Sequence, residues 1–494
     1  MSFASTVVPP EINLRGKLAL EIYNKALTEG KTSVRRVPVM LIGQDHSGKT
    51  SLKKSLQGIP FNPDEDSTIG IDVDPAYFKV TTEIWKTGES DQATSSATPI
   101  SFDHQVARLV VNDLRKETFV REGGSVKTMQ PSDKPLVDTV SSSAHVSSDV
   151  PISPHFSAKL TKNVPSNEKP GEDAESIQAS KDSRLRDRKD VPDASVQEKL
   201  NRNDRIEGHS PRVPDEIATL IKKILQDVEE MEDEEDIYSV LWDFGGQSVY
   251  YATHPLFLTA KAMYLLVCDL SRDPQGEAKT VAKQGMSTRI EDSWDAKTNL
   301  AHLNFWMTSI SSLASEDEHH QRHPGPESGV LPETLPPVFL VCTHADEPFR
   351  EANPFSLALE LLHALQEKPY KTQLCEDVFV VNNRISGLGE GCSEVARLRS
   401  KILAAAKELP QMKEVIPVKW LKYEKALQTT KKEGYECISL EMAKQIASDV
   451  CNINDDQEML TLLNFLHDQR ILIHFDDTDL LNKLVVLDPQ WLWI

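Results

Sequence analysis

Short apolar runs alternate with amphipathic stretches along most of this chain. Residues 37–42, bounded by Arg36 and Gly43, form a continuous apolar run, the pattern of a strand buried on both faces of a parallel sheet. Comparable runs recur at 238–242, 262–270, 338–342 and 378–381. Helical periodicity lies between most of them, at 300–313, 355–366 and 393–409. Strands alternating with helices predict a doubly wound α/β sheet. Ahead of it, Leu14, Leu18, Ile22, Ala26 and Leu27 predict one amphipathic helix over 11–30, ending at Gly30.

Two stretches break the rhythm. From about 86 to 212 the chain is rich in Ser, Asp, Lys, Pro and Thr, with few aromatics. Such a composition buries too little apolar surface to offset ordering entropy, so a disordered insertion is expected. At its end, Ile217, Leu220, Ile221, Ile224, Leu225 and Val228 share one face of a predicted helix beginning at Pro214. After Pro410 a second unit is expected. Helical patterns at 439–448 and 457–468 precede apolar runs at 471–475 and 484–487, separated by the polar turn 476–479. Helices followed by a hairpin predict an α+β, winged-helix-like shape. The chain stops at Trp491-Leu492-Trp493-Ile494 with no polar cap, as expected of a sequence ending inside a domain. The expected units are a helical lead-in over 1–35, an α/β domain over 36–409 carrying the insertion, and a partial domain over 410–494.

Charge narrows the partners. The 494 residues carry a formal charge of −21, which repels polyanions and argues against nucleic-acid binding. Six cysteines without a CxxC pair fit neither a disulfide framework nor a zinc ribbon. No apolar run reaches the ~18 residues of a membrane span, and the first residues lack the pattern of an export signal. A cytoplasmic protein with no integral membrane segment is expected.

The chemistry concentrates in four places. Gly43-Gln44-Asp45-His46-Ser47-Gly48-Lys49-Thr50, followed by Ser51, matches G-x-x-x-x-G-K-[ST] between a predicted strand and a predicted helix. Glycines let successive backbone N–H groups face phosphate, and the helix N-terminus adds positive potential. Lys49 reaches the β/γ-phosphates, and the Thr50 hydroxyl is a candidate Mg²⁺ ligand. Trp242-Asp243-Phe244-Gly245-Gly246-Gln247 holds D-x-x-G at a strand end. Asp243 is the second candidate for the metal, the Gly246 amide for the γ-phosphate, and Gln247 for orienting attacking water. Between these motifs, Thr68 precedes a short apolar piece and is the expected switch threonine and third metal ligand. After the fifth strand stands Thr343-His344-Ala345-Asp346, where N-K-x-D is usual. An Asp346 carboxylate can accept both guanine N1–H and the exocyclic amine, which adenine cannot offer. Thr343 replaces the asparagine of that motif, and the His344 ring replaces the lysine stem over the base. Asn383, after the sixth strand, is the candidate for a loop meeting guanine O6.

With these residues in view, the chain resembles the Roco family, in which a Ras-like Roc GTPase domain precedes a COR domain. The resemblance rests on the P-loop, on the run 242–247 with Tyr250-Tyr251-Ala252-Thr253-His254 and Pro255-Leu256-Phe257, on Thr343–Asp346, and on 415–421 at the start of COR. It covers roughly 36–80 and 213–494. It implies a Ras-like P-loop GTPase sheet, GTP/GDP and Mg²⁺ as ligands, slow hydrolysis, signalling through effector proteins of unknown identity, and homodimerisation through COR. A GTP-binding scaffold without turnover is the alternative that these residues leave open.

Overall fold

The computed structural model describes residues 7–74, 77–86, 236–247, 250–251, 253–278, 297–314, 329–385 and 392–493. The expected insertion beyond residue 86 and the helix expected from Pro214 lie outside the described residues. In chain order come helices α1 (Pro10–Leu14) and α2 (Lys17–Thr28), strands β1 (Lys31–Thr32) and β2 (Arg36–Gly43), and helix α3 (Lys49–Leu56). Strands β3 (Ile71–Val73), β4 (Phe78–Lys79), β5 (Tyr238–Phe244), β6 (Met263–Asp269), β7 (Val338–Thr343) and β8 (Leu374–Val380) complete the first unit, with helices Asn299–Ala314, Pro354–Gln366 and Ser393–Glu408 between or after them.

These strands build one sheet in the order β3-β5-β2-β6-β7-β8, with β4 also on β5. Strands β5, β2, β6, β7 and β8 run parallel, while β3 and β4 run antiparallel to β5. The apolar runs are continuous because both faces are covered. Along β2, Met40 and Ile42 pack with Trp306 and Leu361 on one face, while Val37, Val39 and Leu41 pack with Leu52, Leu56 and Ile402 on the other. That period-two alternation places α3 and Ser393–Glu408 on one side, with Asn299–Ala314 and Pro354–Gln366 opposite. The C-terminal ends of β2 and β5, at the centre of the sheet, lead directly into the two glycine-bearing turns.

The lead-in is not the single helix of the sequence reading. Gly16, at φ +88°, breaks it into α1 and α2 and resets the helical phase. Leu14 and Leu18 consequently stand 65% and 57% exposed, and the buried face is Ile12, Ala19, Tyr23 and Ala26. This face joins the core of the C-terminal unit, together with Trp420, Leu462 and Phe465. β1 pairs antiparallel with β9 (Ile416–Pro417), and the Tyr23 hydroxyl donates to the Val415 carbonyl.

The C-terminal unit holds helices Val418–Lys432, Leu440–Cys451 and Asp456–Asp468. Ser439 and Asp455 accept backbone N–H bonds at the starts of the last two, as N-caps do. The expected hairpin is reduced to a single bridge, Ile473 to Val486. Strand β11 (Leu484–Val486) takes its main pairing from β10 (Cys437–Ser439), a short strand too brief to show in the sequence pattern.

Candidate functional site

The loop from β2 to α3 is shaped by three left-handed or extended glycine-type positions. Gly43 has φ +148°, and a Cβ there would lie 2.2 Å from the Val267 carbonyl of the neighbouring strand. Gly48 has φ +78°, and His46 also adopts positive φ. The loop closes on itself through Ser47 N–H, which donates to the Gln44 carbonyl, and through Lys49 Nζ, 2.7 Å from the same carbonyl. Lys49 is buried, which holds its ammonium below the ordinary lysine range against the opposing pull of Asp243 and Asp45. Burial also acts to raise Asp45, but His46, at 2.9 Å, and Lys49 leave it below its usual value.

Thr50, Thr68 and Asp243 come from a helix, a loop and a strand, and converge. Thr50 Oγ1 donates to Asp243 Oδ2 at 2.5 Å, Thr68 Oγ1 donates to the same oxygen at 3.0 Å, and the two hydroxyls are 3.1 Å apart. Asp243 is fully buried, and burial raises its pKa against the pull of Lys49 and Thr50. Its second oxygen, Oδ1, has no hydrogen-bond partner among the described residues. A buried carboxylate with an uncommitted oxygen beside two hydroxyls is an all-oxygen donor set suited to Mg²⁺. Among the described residues no cluster of three or more His, Cys, Asp or Glu forms a competing metal site.

The second turn lies against the first. A Cβ on Gly246 would fall 2.3 Å from the Asp45 backbone nitrogen and 2.4 Å from the Gln44 carbonyl carbon, so only glycine lets this turn approach the P-loop. Gly245 N–H donates to the Gly70 carbonyl at 2.7 Å, tying the turn to the segment carrying Thr68. Gln247 follows, half-buried. Beyond it an aromatic group supports the turn: His254 packs against Phe244, Tyr250, Tyr251 and Trp306, and Tyr251 Oη donates to the Gly246 carbonyl at 3.2 Å. Burial lowers His254 to about 3, so the ring is neutral.

The residues expected at the base are brought to the same edge. Thr343 Oγ1 lies 2.8 Å from the Ser47 carbonyl, so β7 and the P-loop are joined directly. His344, at φ +56°, places Nδ1 3.1 Å from Asp269, whose carboxylate raises the histidine pKa. Asp346 Oδ2 lies 3.0 Å from Arg384 Nη1. The Asn383 side chain is buried under the P-loop, donating to the Gly48 carbonyl at 3.3 Å and accepting from Ser55 Oγ. Sequence reasoning missed Arg272, whose Nη2 donates to the Asp45 carbonyl at 3.0 Å while Nε pairs with Asp269 at 2.9 Å. A basic residue three positions beyond the end of a buried central strand was the available signal.

A P-loop that faces a D-x-x-G turn from the adjacent parallel strand, in a sheet of this order, defines a GTPase fold. Within that class, two family models and several curated relatives support a Roco family protein. A family model described as "Ras of Complex, Roc, domain of DAPkinase" matches residues 209–317, and one described as "C-terminal of Roc, COR-A domain" matches 417–493. The chain is 24% identical over 268 residues to the Dictyostelium discoideum "Probable serine/threonine-protein kinase pats1", covering 52% of this chain and 6% of that protein. It is 23% identical over 256 residues to "Cyclic GMP-binding protein C" of the same organism, covering 51% and 8%. Over a shorter stretch of 111 residues it is 59% identical to "Probable serine/threonine-protein kinase roco11", covering 22% and 5%. The chain thus spans under a tenth of the length of these three relatives. A solved structure described as Methanosarcina barkeri Roco2 RocCORdC bound to GDP aligns over 94% of this chain and 75% of that one, with 17% identity and a TM-score of 0.42. Among the described residues no helix is long and apolar enough to cross a membrane.

Proposed function

We propose that this chain is a guanine-nucleotide switch that hydrolyses GTP slowly to GDP. The observation that carries the reading is the convergence of Thr50, Thr68 and Asp243 on one buried point beside Lys49. Lys49, the loop amides of 43–50 and the α3 N-terminus supply the positive field for the phosphates. Thr50, Thr68 and Asp243 offer the oxygens for Mg²⁺, which when bound neutralises charge on the β- and γ-phosphate oxygens. Gly246 offers its amide to the transferring group. Gln247, on the turn that rests against the P-loop, orients the attacking water. Asp346 reads the guanine edge, with Thr343 and His344 shaping the base side. Asn383 serves by fixing the P-loop backbone at Gly48 and by carrying the loop that meets O6.

Phosphoryl transfer depends on positioning and charge, which this constellation can supply without covalent chemistry. Such sites turn over on the order of 10⁻⁴ to 10⁻³ s⁻¹ when no arginine is added from outside. Family resemblance supports further readings: 36–409 and 410–494 as the working units, a homodimer through COR, effector proteins as listeners, and a cytoplasmic setting. Single-turnover GTP hydrolysis on the purified chain tests the proposal. Hydrolysis should require Mg²⁺, vanish with Lys49→Ala and fall at least tenfold in Gln247→Leu with GTP binding retained. GTP binding without turnover in the parent would leave the scaffold reading instead.

A further inference from the structure

The segment carrying Thr68 is held from three directions. Thr68 itself reaches Asp243 and Thr50. Gly70 accepts the Gly245 N–H of the second turn. The residue between them, Ile69, is held by COR-A: Gln490 Nε2 donates to the Ile69 carbonyl at 3.0 Å, across 421 positions of sequence. The Ile69 side chain is 55% exposed, so burial does little to fix this stretch.

Gln490 is mounted on an anchored turn, the 3-10 helix Pro489–Trp493. Its own N–H donates to Asp488 Oδ1 at 3.0 Å, and Asp488 pairs with Lys431 at 3.0 Å. Leu487 and Asp488 both donate backbone N–H bonds to the Glu436 carbonyl, and Trp491 packs against the core cluster that contains Ile71, Trp242 and Phe244. The amide donor is therefore fixed relative to the β3–β5 edge by contacts of the chain itself.

We propose that Gln490 is a positioning residue for the switch threonine, through which COR-A favours triphosphate over diphosphate. The inference rests on the proposed function, in which Thr68 engages the metal and γ-phosphate, so that only the triphosphate state uses its position. A donor that pre-holds Ile69 lowers the ordering cost of that state and leaves the diphosphate state untouched. Because coupling between sites is reciprocal, triphosphate must also steady the 489–493 turn.

The test compares Mg²⁺-dependent affinities of a non-hydrolysable GTP analogue and of GDP for the full chain, in parent, Gln490→Leu and Gln490→Lys. Leucine removes the donor; lysine restores one on a side chain of similar reach. In Gln490→Leu the analogue should bind about 3–10-fold more weakly, the worth of one neutral hydrogen bond, with GDP within twofold of parent. Gln490→Lys should recover most of the ratio. In parallel, hydrogen exchange of the 488–493 amides should slow with the analogue relative to GDP in the parent, and not in Gln490→Leu. Equal weakening of both nucleotides, or an unchanged ratio, overturns the proposal while leaving the proposed function standing. A parent that binds neither nucleotide overturns both.

Discussion

The Arg384 guanidinium holds the Asp346 carboxylate at 3.0 Å and reaches Glu347 from the same nitrogen at 2.9 Å. The group assigned to read guanine is therefore oriented by a neighbour from the next loop. An acceptor already aimed loses less freedom on binding, but it also shares its charge with the arginine. Asp346→Ala removes two charge-assisted hydrogen bonds, each worth about 1.5–3 kcal/mol. GDP and GTP affinity should fall by at least tenfold, with ATP competing as well as GTP. Arg384→Ala should change affinity by less than tenfold and keep the guanine preference. Competition titrations with a fluorescent nucleotide decide both, and ATP matching GTP in the parent removes the base assignment.

Asp243 poses a conflict between stability and chemistry. A buried carboxylate with one unpartnered oxygen destabilises the chain when no cation is near. Asp243→Asn keeps the shape and removes the charge. Its melting temperature in EDTA should equal or exceed that of the parent, while Mg²⁺ should no longer tighten GTP. A marked drop in melting temperature would show that Asp243 serves packing rather than the metal.

Gly246→Ala tests the contact between the two turns. The added methyl would meet backbone atoms of Gln44 and Asp45, which cannot swing aside as a side chain could. Overpacking of this kind costs about 1–3 kcal/mol. The expected outcome is a GTP affinity reduced ten- to a hundredfold with GDP affected less, measured by nucleotide dissociation kinetics. Unchanged GTP affinity would mean that the second turn does not need its place on the P-loop.

Much of this arrangement was readable in advance, for a physical reason. A strand buried on both faces must be apolar at every position, so 37–42 and 338–342 declare themselves, and a P-loop is a local motif whose spacing is set by one phosphate. What escaped reading was non-local. Leu14 and Leu18 look like a buried face until Gly16 resets the phase. Nothing in the periodicity of α2 says that Tyr23 and Ala26 complete a core with residues beyond 415. Gln490 meets the segment at Ile69 through one bond to a backbone carbonyl, which leaves no trace in residue type or spacing. The segment before β3 drew notice at Thr68, because a hydroxyl is chemistry, and not at Ile69, whose contact with Gln490 runs through its main chain.

Burial of His254 against Phe244 should make the fold around the 242–247 turn acid-sensitive. Its folded pKa, about 3, lies below the ordinary histidine value of about 6.5, because burial among Phe244, Tyr251 and Trp306 disfavours the imidazolium. The unfolded chain then binds a proton that the folded chain refuses. The stabilising contribution is complete above pH 6.5 and is lost progressively as pH falls from 6.5 toward 3. At pH 5 the loss is about 2 kcal/mol, from 1.36 kcal/mol per pH unit over roughly 1.5 units. His254→Phe keeps an aromatic ring in the cluster and removes the titration. Denaturant unfolding of the parent should therefore weaken between pH 7 and pH 5 by about 2 kcal/mol more than that of His254→Phe. The variant should be the less stable of the two at pH 7, where it lacks the polar tie between His254 and the Gly70 backbone. Parallel stability–pH curves for parent and variant would place the acid sensitivity elsewhere, and would mean that the ring takes up its proton without leaving the cluster.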